Sequence, residues 1–224
     1  MPAGWETYTS YNANQSNANQ VVYVDSTRAY SGSKSLRVKG ATSGQSQIIK
    51  KLPSGLKTAY LRAWVYMSVS MGNEPENRNP PPNHDGVMGV KIDKGGDRAF
   101  SHAEELRVGT GKGHLGYSLT ADSKDAISPE YEKWFSGPAT PVNQWYCIEA
   151  SVDATKAYDE TEFWVDGVLV QSATSQEDWH APVNADWAEN ILGYAFFGWD
   201  SHSQRSADLW MDDIVVSGEP IGCN

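Results

Sequence analysis

Phenylalanine is scarce in this chain, with five residues against nine Trp and eleven Tyr. Phe fills a core as well as Trp or Tyr does but lacks their polar handle. The bias therefore points to rings that work at a wet surface as well as in the interior. Basic residues are also short: 18 Lys and Arg face 28 Asp and Glu, for a net charge of −10. Without a basic run, such a chain is a poor nucleic-acid binder. No apolar stretch approaches the roughly 18 residues that a membrane span needs. The reading is a protein with neither a nucleic acid nor a membrane as partner, acting as a monomer.

Cysteine is rarer still. Cys147 lies in a strand-like run and Cys223 is the penultimate residue. Two Cys cannot build a structural zinc site, and the five His show no HExxH-type spacing. Two free thiols are one reading of the pair. The preferred one is a disulfide that ties the C-terminus to the body, which implies an oxidising compartment. Closing so long a loop stabilises a fold by roughly 4–5 kcal/mol on chain-entropy grounds. No signal peptide is visible, and Met1-Pro2-Ala3-Gly4 reads as a mature domain with an added initiator Met. Secretion, to the cell exterior or the periplasm, is the expectation.

Sustained helical periodicity is missing, and with it the βαβ rhythm of a parallel sheet. Period-2 apolar patterns recur instead, over 21–24, 35–38, 60–67, 87–92, 105–108, 115–119, 145–152, 162–170, 194–199 and 208–216. Turn signals separate them, and Asp166-Gly167 inside 163–170 marks a hairpin. About ten strands of this kind predict an all-β antiparallel sandwich, a jelly roll. Short helical turns are expected near 129–134 and 186–190. The polar, proline-rich stretch 73–83 reads as an inserted loop, and no linker or repeat divides residues 1–224, so one domain is expected.

Strand alternation offers a binding face. Over 60–67, Leu61, Ala63, Val65 and Met67 point one way, while Tyr60, Arg62, Trp64 and Tyr66 point the other. The same split sets Glu105 and Arg107 opposite Leu106 and Val108, and Lys91 opposite Met88, Val90 and Ile92. A solvated outer face is the plain reading of each strand. A sugar-binding groove, with aromatic platforms and fixed polar groups, is the sharper one. Arg62, Trp64, Tyr66, Tyr117 and Trp199 are the candidate substrate-binding residues.

Cleaving a uronic-acid polymer by β-elimination needs a group that stabilises charge developing on the carboxylate and another that takes the C5 proton. Arg107 and Lys91 suit the first task, and His84, His202 or Tyr117 the second. A hydrolase fits less well. Glu104 and Glu105 face opposite ways on a strand, and the Glu-x-Asp-x-x-Glu run of jelly-roll glucanases is absent.

A calcium site is the other candidate. Gly4-Trp5-Glu6, the Tyr30–Leu36 turn and Trp210-Met211-Asp212-Asp213-Ile214 resemble the set found in calcium-bound carbohydrate-binding sandwiches. Ca2+ takes six or more oxygens. Glu6, the carbonyls of Ser31 and Lys34, and Asp213 would supply them in a structural role, with Asp212 as the competing carboxylate. The plain alternative is an edge-strand acidic pair that blunts aggregation.

Five segments carry a family likeness: 143–149 (Asn-Gln-Trp-Tyr-Cys-Ile-Glu), 163–167 (Phe-Trp-Val-Asp-Gly), 197–200 (Phe-Gly-Trp-Asp), 209–216 (Leu-Trp-Met-Asp-Asp-Ile-Val-Val) and 220–223 (Pro-Ile-Gly-Cys). In this order they resemble the cellulose-induced secreted proteins of wood-degrading fungi and their bacterial homologues, relatives of the glucuronan lyases of polysaccharide lyase family 20. The resemblance implies a jelly roll, a structural calcium, a groove for acidic or plant-wall polysaccharide, and pairing of Cys147 with Cys223. It also matches His84, Lys91 and Arg107 to the family's groove residues. Two positions depart from it. Thr110-Gly111 stands where relatives carry Gln, and Gly198-Trp199-Asp200-Ser201-His202 where they read Gly-Trp-Glu-x-Tyr. The expected function is a β-eliminating lyase, with a non-catalytic carbohydrate-binding module as the alternative.

Overall fold

The computed structural model describes residues 3–10, 22–39, 44–69, 84–92, 105–117, 136–157, 159–178, 192–201 and 208–224. Thirteen strands run through them: β1 (Trp5–Ser10), β2 (Val22–Asp25), β3 (Ser35–Val38), β4 (Gly44–Lys51), β5 (Thr58–Met67), β6 (His84–Lys91), β7 (Glu105–Gly111), β8 (His114–Tyr117), β9 (Trp145–Asp153), β10 (Glu160–Val165), β11 (Val168–Ala173), β12 (Tyr194–Ser201) and β13 (Leu209–Ser217). Among the described residues the helical content is one 3-10 turn, Gln176–Asp178. No helix there is long and apolar enough to cross a membrane. The two expected helical turns, the 73–83 loop and His202 lie outside the described residues.

Every pairing is antiparallel. One sheet has six strands in the order β1-β4-β12-β6-β7-β8, the other seven in the order β11-β10-β9-β5-β13-β3-β2. The chain crosses from sheet to sheet after most strands or hairpins, so most contacts are long-range in sequence. This is the expected jelly-roll sandwich.

Alternation decides which residues fill the space between the sheets. Leu61, Ala63, Val65 and Met67 of β5, Leu209 and Met211 of β13, and Ile148, Ala150 and Val152 of β9 meet Ile48, Met88, Val90, Leu106, Val108, Phe197 and Trp199 of the six-stranded sheet in one cluster. A second, smaller cluster of Tyr8, Ile49, Tyr194 and Phe196 lies on the outer face of the six-stranded sheet. The Asp166-Gly167 hairpin joins β10 to β11. Both turn residues have positive φ, 49° and 78°, which suits the right-handed twist of a tight hairpin. The disulfide joins Cys147 of β9 to Cys223 across 76 positions. Its tail is also pinned by Glu149, whose carboxylate accepts the N–H groups of Ile221 and Gly222 at 2.9 and 2.8 Å.

Candidate functional site

On the outer face of the six-stranded sheet, β6 and β7 place Lys91 opposite Glu105 and Gly89 opposite Arg107, while β12 brings Asp200 opposite Gly86. The four charged side chains converge. Arg107 Nη1 donates to Glu105 Oε1 at 2.7 Å and to Asp200 Oδ2 at 2.8 Å. Lys91 Nζ stands 3.4 Å from Glu105 Oε2, and Gln45 Nε2 of β4 donates to Asp200 Oδ2 at 3.0 Å. None of the four is more than 4% exposed. Two glycines make this approach possible. A Cβ on Gly86 would lie 2.8 Å from Arg107 Cδ, and one on Gly89 would meet the Leu106 carbonyl and the Phe196 ring.

The charges are nearly balanced. Asp85, also buried, acts on Arg107, so three carboxyls surround two cations. The balance closes if one carboxyl keeps a proton. Burial pushes Glu105 up to about 7, with Asp200 adding to the rise and Lys91 and Arg107 opposing it. Burial works against the Arg107 charge, and Asp200 and Glu105 more than restore it. Lys91 also sits 4.4 Å over the Phe196 ring and 5.6 Å over Tyr8, where a desolvated cation gains from the ring faces. The site can therefore present cationic groups beside a carboxyl that exchanges its proton near neutrality.

A profile for the polysaccharide-lyase-like, Cip1-like core domain matches residues 2–219. The chain belongs to that family. The solved structure of cellulose-induced protein Cip1 superposes with a TM-score of 0.64 and 22% identity, covering 91% of this chain and 88% of that one. An endo-1,3-β-glucanase from Streptomyces sioyaensis gives a TM-score of 0.53 at 13% identity, covering 96% of this chain and 97% of its own. At these identities the likeness is one of fold. Sequence comparison with curated proteins gives no match.

Within this Cip1-like fold the expected binding residues do not gather at the charged cluster. Tyr117 is fully buried, its ring 6.3 Å from Phe163 and its phenol pushed up by burial. Trp199 is 1% exposed in the central core. Neither ring can stack on a sugar, and Tyr117 cannot take a substrate proton. Arg62, Trp64 and Tyr66 lie on β5, so they face outward from the other sheet. Arg62 donates to the carbonyls of Gly222 and Asp213, Trp64 is stacked against Tyr30, and Tyr66 is buried under Arg28 between Trp145 and Trp210. Alternation gave their face correctly. It could not say which sheet β5 joins.

His84 opens β6 opposite Gly111, and its side chain lies outside the described residues, as His202 does entirely. Glu105 and Asp200 are the partners that sequence reasoning did not assemble. Their signal was a carboxylate sharing the outward side of β7 with Arg107 and another replacing the family's Glu after Trp199.

The expected calcium ligands are partly assembled. β13 bulges between Asp212 and Val215, and Asp213 takes φ 46° there. Ser31 Oγ donates to Asp213 Oδ1 at 2.8 Å, and Lys34 and Asp213 line one cavity with Trp5. Glu6 is not among its lining residues. Asp212, the competing carboxylate, lines the same cavity, and its Oδ2 accepts the N–H groups of Tyr30 and Ser31. The edge-strand alternative falls, because β13 lies inside its sheet between β5 and β3. Among the described residues no cluster of three or more His, Cys, Asp or Glu could hold a metal. A site built on the Ser31 and Lys34 carbonyls with Asp213 would need fewer side chains than that.

Proposed function

We propose that this secreted, monomeric chain cleaves a uronic-acid-containing polysaccharide by β-elimination at the charged cluster of the six-stranded sheet. Membership of the Cip1-like family supports a polysaccharide-active protein. The observation that carries the finer reading is the meeting of Lys91, Arg107 and Glu105, with Glu105 poised at about 7. In elimination, the substrate carboxylate acquires charge as the C5 proton leaves, and Lys91 and Arg107 would stabilise it. A proton on Glu105 loosens its hold on both cations, so that a substrate carboxylate can take its place. His84 or His202 would accept the C5 proton, and as the C4–O bond breaks and the C4–C5 double bond forms, the departing 4-oxygen would take a proton from that histidinium or from water.

Incubation with glucuronan, alginate or pectin should raise ultraviolet absorbance, because the product is conjugated, and Arg107→Lys should abolish the rise. One observation favours a second reading, a non-catalytic carbohydrate-binding module. The Arg107 charge is already answered by two internal carboxylates. No absorbance change on any uronic polymer, with retention on a polysaccharide gel, would decide for it.

A structural Ca2+ belongs to the same reading, held by Asp213 and the carbonyls of Ser31 and Lys34. It would fix the 31–34 turn against β13 and take no part in the chemistry. Chelation should lower the melting midpoint, and an unchanged midpoint rejects the ion.

A further inference from the structure

Four arginines lie among the described residues, and three spend their charge internally. Arg37 pairs with Asp208 and Asp25, Arg62 donates to two carbonyls, and Arg107 holds Glu105 and Asp200. Arg28 differs. Its guanidinium lies 4.3 Å over the Tyr66 ring and 4.9 Å over Trp210, it is exposed, and no described carboxylate pairs with it. In a chain of net charge −10, an arginine with no carboxylate partner among the described residues stands apart. Two residues on, Tyr30 stacks on Trp64 with centroids 3.6 Å apart and planes 9° from parallel, and remains 44% exposed.

The loop that carries both groups is fixed in place. Ser35 Oγ donates to the Arg28 carbonyl at 2.8 Å, and the Tyr30 N–H donates to Asp212 Oδ2 at 2.8 Å. Trp145 joins the two halves, edge-on to Tyr30 at 6.1 Å and to Tyr66 at 5.6 Å. A planar fork of donors held on aromatic faces suits a carboxylate, and an exposed ring two residues away suits the apolar face of a sugar.

We propose that Arg28 and Tyr30 form a second glycan-binding site, on the outer face of the seven-stranded sheet, that grips a uronate-bearing polysaccharide chain. The guanidinium takes a uronate carboxylate, and the outer face of Tyr30 takes a sugar ring. The charged cluster lies on the opposite side of the sandwich, so this site anchors polymer without touching the reacting unit. Pre-ordering of the loop means that binding pays little conformational entropy. The site stands whether or not the cluster cleaves anything.

Affinity electrophoresis through gels containing polygalacturonate, alginate or a neutral β-glucan tests it, run in parallel on Arg107→Lys chains so that cleavage does not thin the gel. Wild type should be retarded by the two uronate polymers. Arg28→Gln should weaken that retardation about tenfold, as expected for the loss of a charge-assisted pair, and Arg28→Lys should keep part of it. Tyr30→Ala should weaken it several-fold, and added salt should bring wild type towards Arg28→Gln. Unchanged retardation in Arg28→Gln at a wild-type melting midpoint overturns the proposal. So does absence of retardation in wild type, or an equal loss on the neutral glucan. A chain that cleaves nothing but loses uronate binding with Arg28→Gln keeps this site and removes the lyase. One that cleaves, yet binds equally with Arg28→Gln, does the reverse.

Discussion

Arg107 and Arg28, on opposite outer faces of this sandwich, handle positive charge in opposite ways. On the six-stranded sheet, Lys91 and Arg107 are buried and answered by Glu105 and Asp200. On the seven-stranded sheet, Arg28 lies exposed over the rings of Tyr66 and Trp210, while Arg37 adds ion pairs with Asp208 and Asp25 to its contacts with Tyr23 and Trp210. A buried ion group is protected from salt but depends on proton count, because each charge needs its partner. An exposed cation on rings is nearly indifferent to a carboxyl's proton but is screened by salt. One face should therefore respond to pH and the other to ionic strength.

The largest effect should come from breaking the buried group. Arg107→Met removes the cation shared by Glu105 and Asp200 and leaves carboxylates in a desolvated place, at a cost of about 3–5 kcal/mol. The melting midpoint should fall by about 10 °C or more. A midpoint near wild type would mean that these charges are solvated after all, and the contrast between the faces would go with it.

Loss of the disulfide should follow at about 4 kcal/mol for a 76-residue separation. Cys223→Ser with Cys147→Ser removes it without leaving a free thiol. The tail keeps its Glu149 and Arg62 hydrogen bonds, so the change acts mostly through the unfolded chain. Melting should drop, while the pH response of the other face stays as it was. A changed pH response would show that the faces are coupled through β9 and β5.

Much of this arrangement was legible in the sequence, but unevenly. The inward side of β5 was plain, because Leu61, Ala63, Val65 and Met67 repeat with period 2. The Asp166-Gly167 hairpin and the Cys147–Cys223 bond were also readable from local chemistry. β4 was not. Gln45, Ser46 and Gln47 are all buried in it, so polar residues face both ways and erase the alternation. β1 (Trp-Glu-Thr-Tyr-Thr-Ser) escaped for the same reason. The site was less readable still. A Tyr or Trp reads alike whether it fills a core, as Tyr117 and Trp199 do, or lies on a face, as Trp64 does. Arg107 and Asp200 meet across 93 positions, and only the pairing of β6 with β12 brings them together. Strand order is set by long-range packing, which periodicity does not encode.

The proton response comes next in size. The folded-state value of Glu105, about 7, stands above its ordinary 4.5, so the native state holds a proton that the unfolded chain has released. Its contribution to stability is full below the ordinary value and disappears as pH rises through about 7. Each unit of difference is worth about 1.4 kcal/mol, so the change amounts to a few kcal/mol at most. Melting midpoints should decline between about pH 5 and pH 8 in wild type, and Glu105→Gln should flatten that decline. An equal decline in both would move the titrating proton to another group.

Arg28→Ala should have the smallest effect on stability. Its two ring contacts are at an exposed position, where each cation–π pair contributes roughly 0.5–1 kcal/mol, and the pair shares one guanidinium. The loop does not depend on that side chain, because Ser35 holds the Arg28 carbonyl and Asp212 holds the Tyr30 N–H. Melting should therefore fall by a few degrees at most, with the pH profile of wild type intact. A loss as large as that of Arg107→Met would make Arg28 a structural pillar. Arg28 and Arg107 would then differ only in what shields them, rings for the one and carboxylates for the other, and not in what they are available to bind.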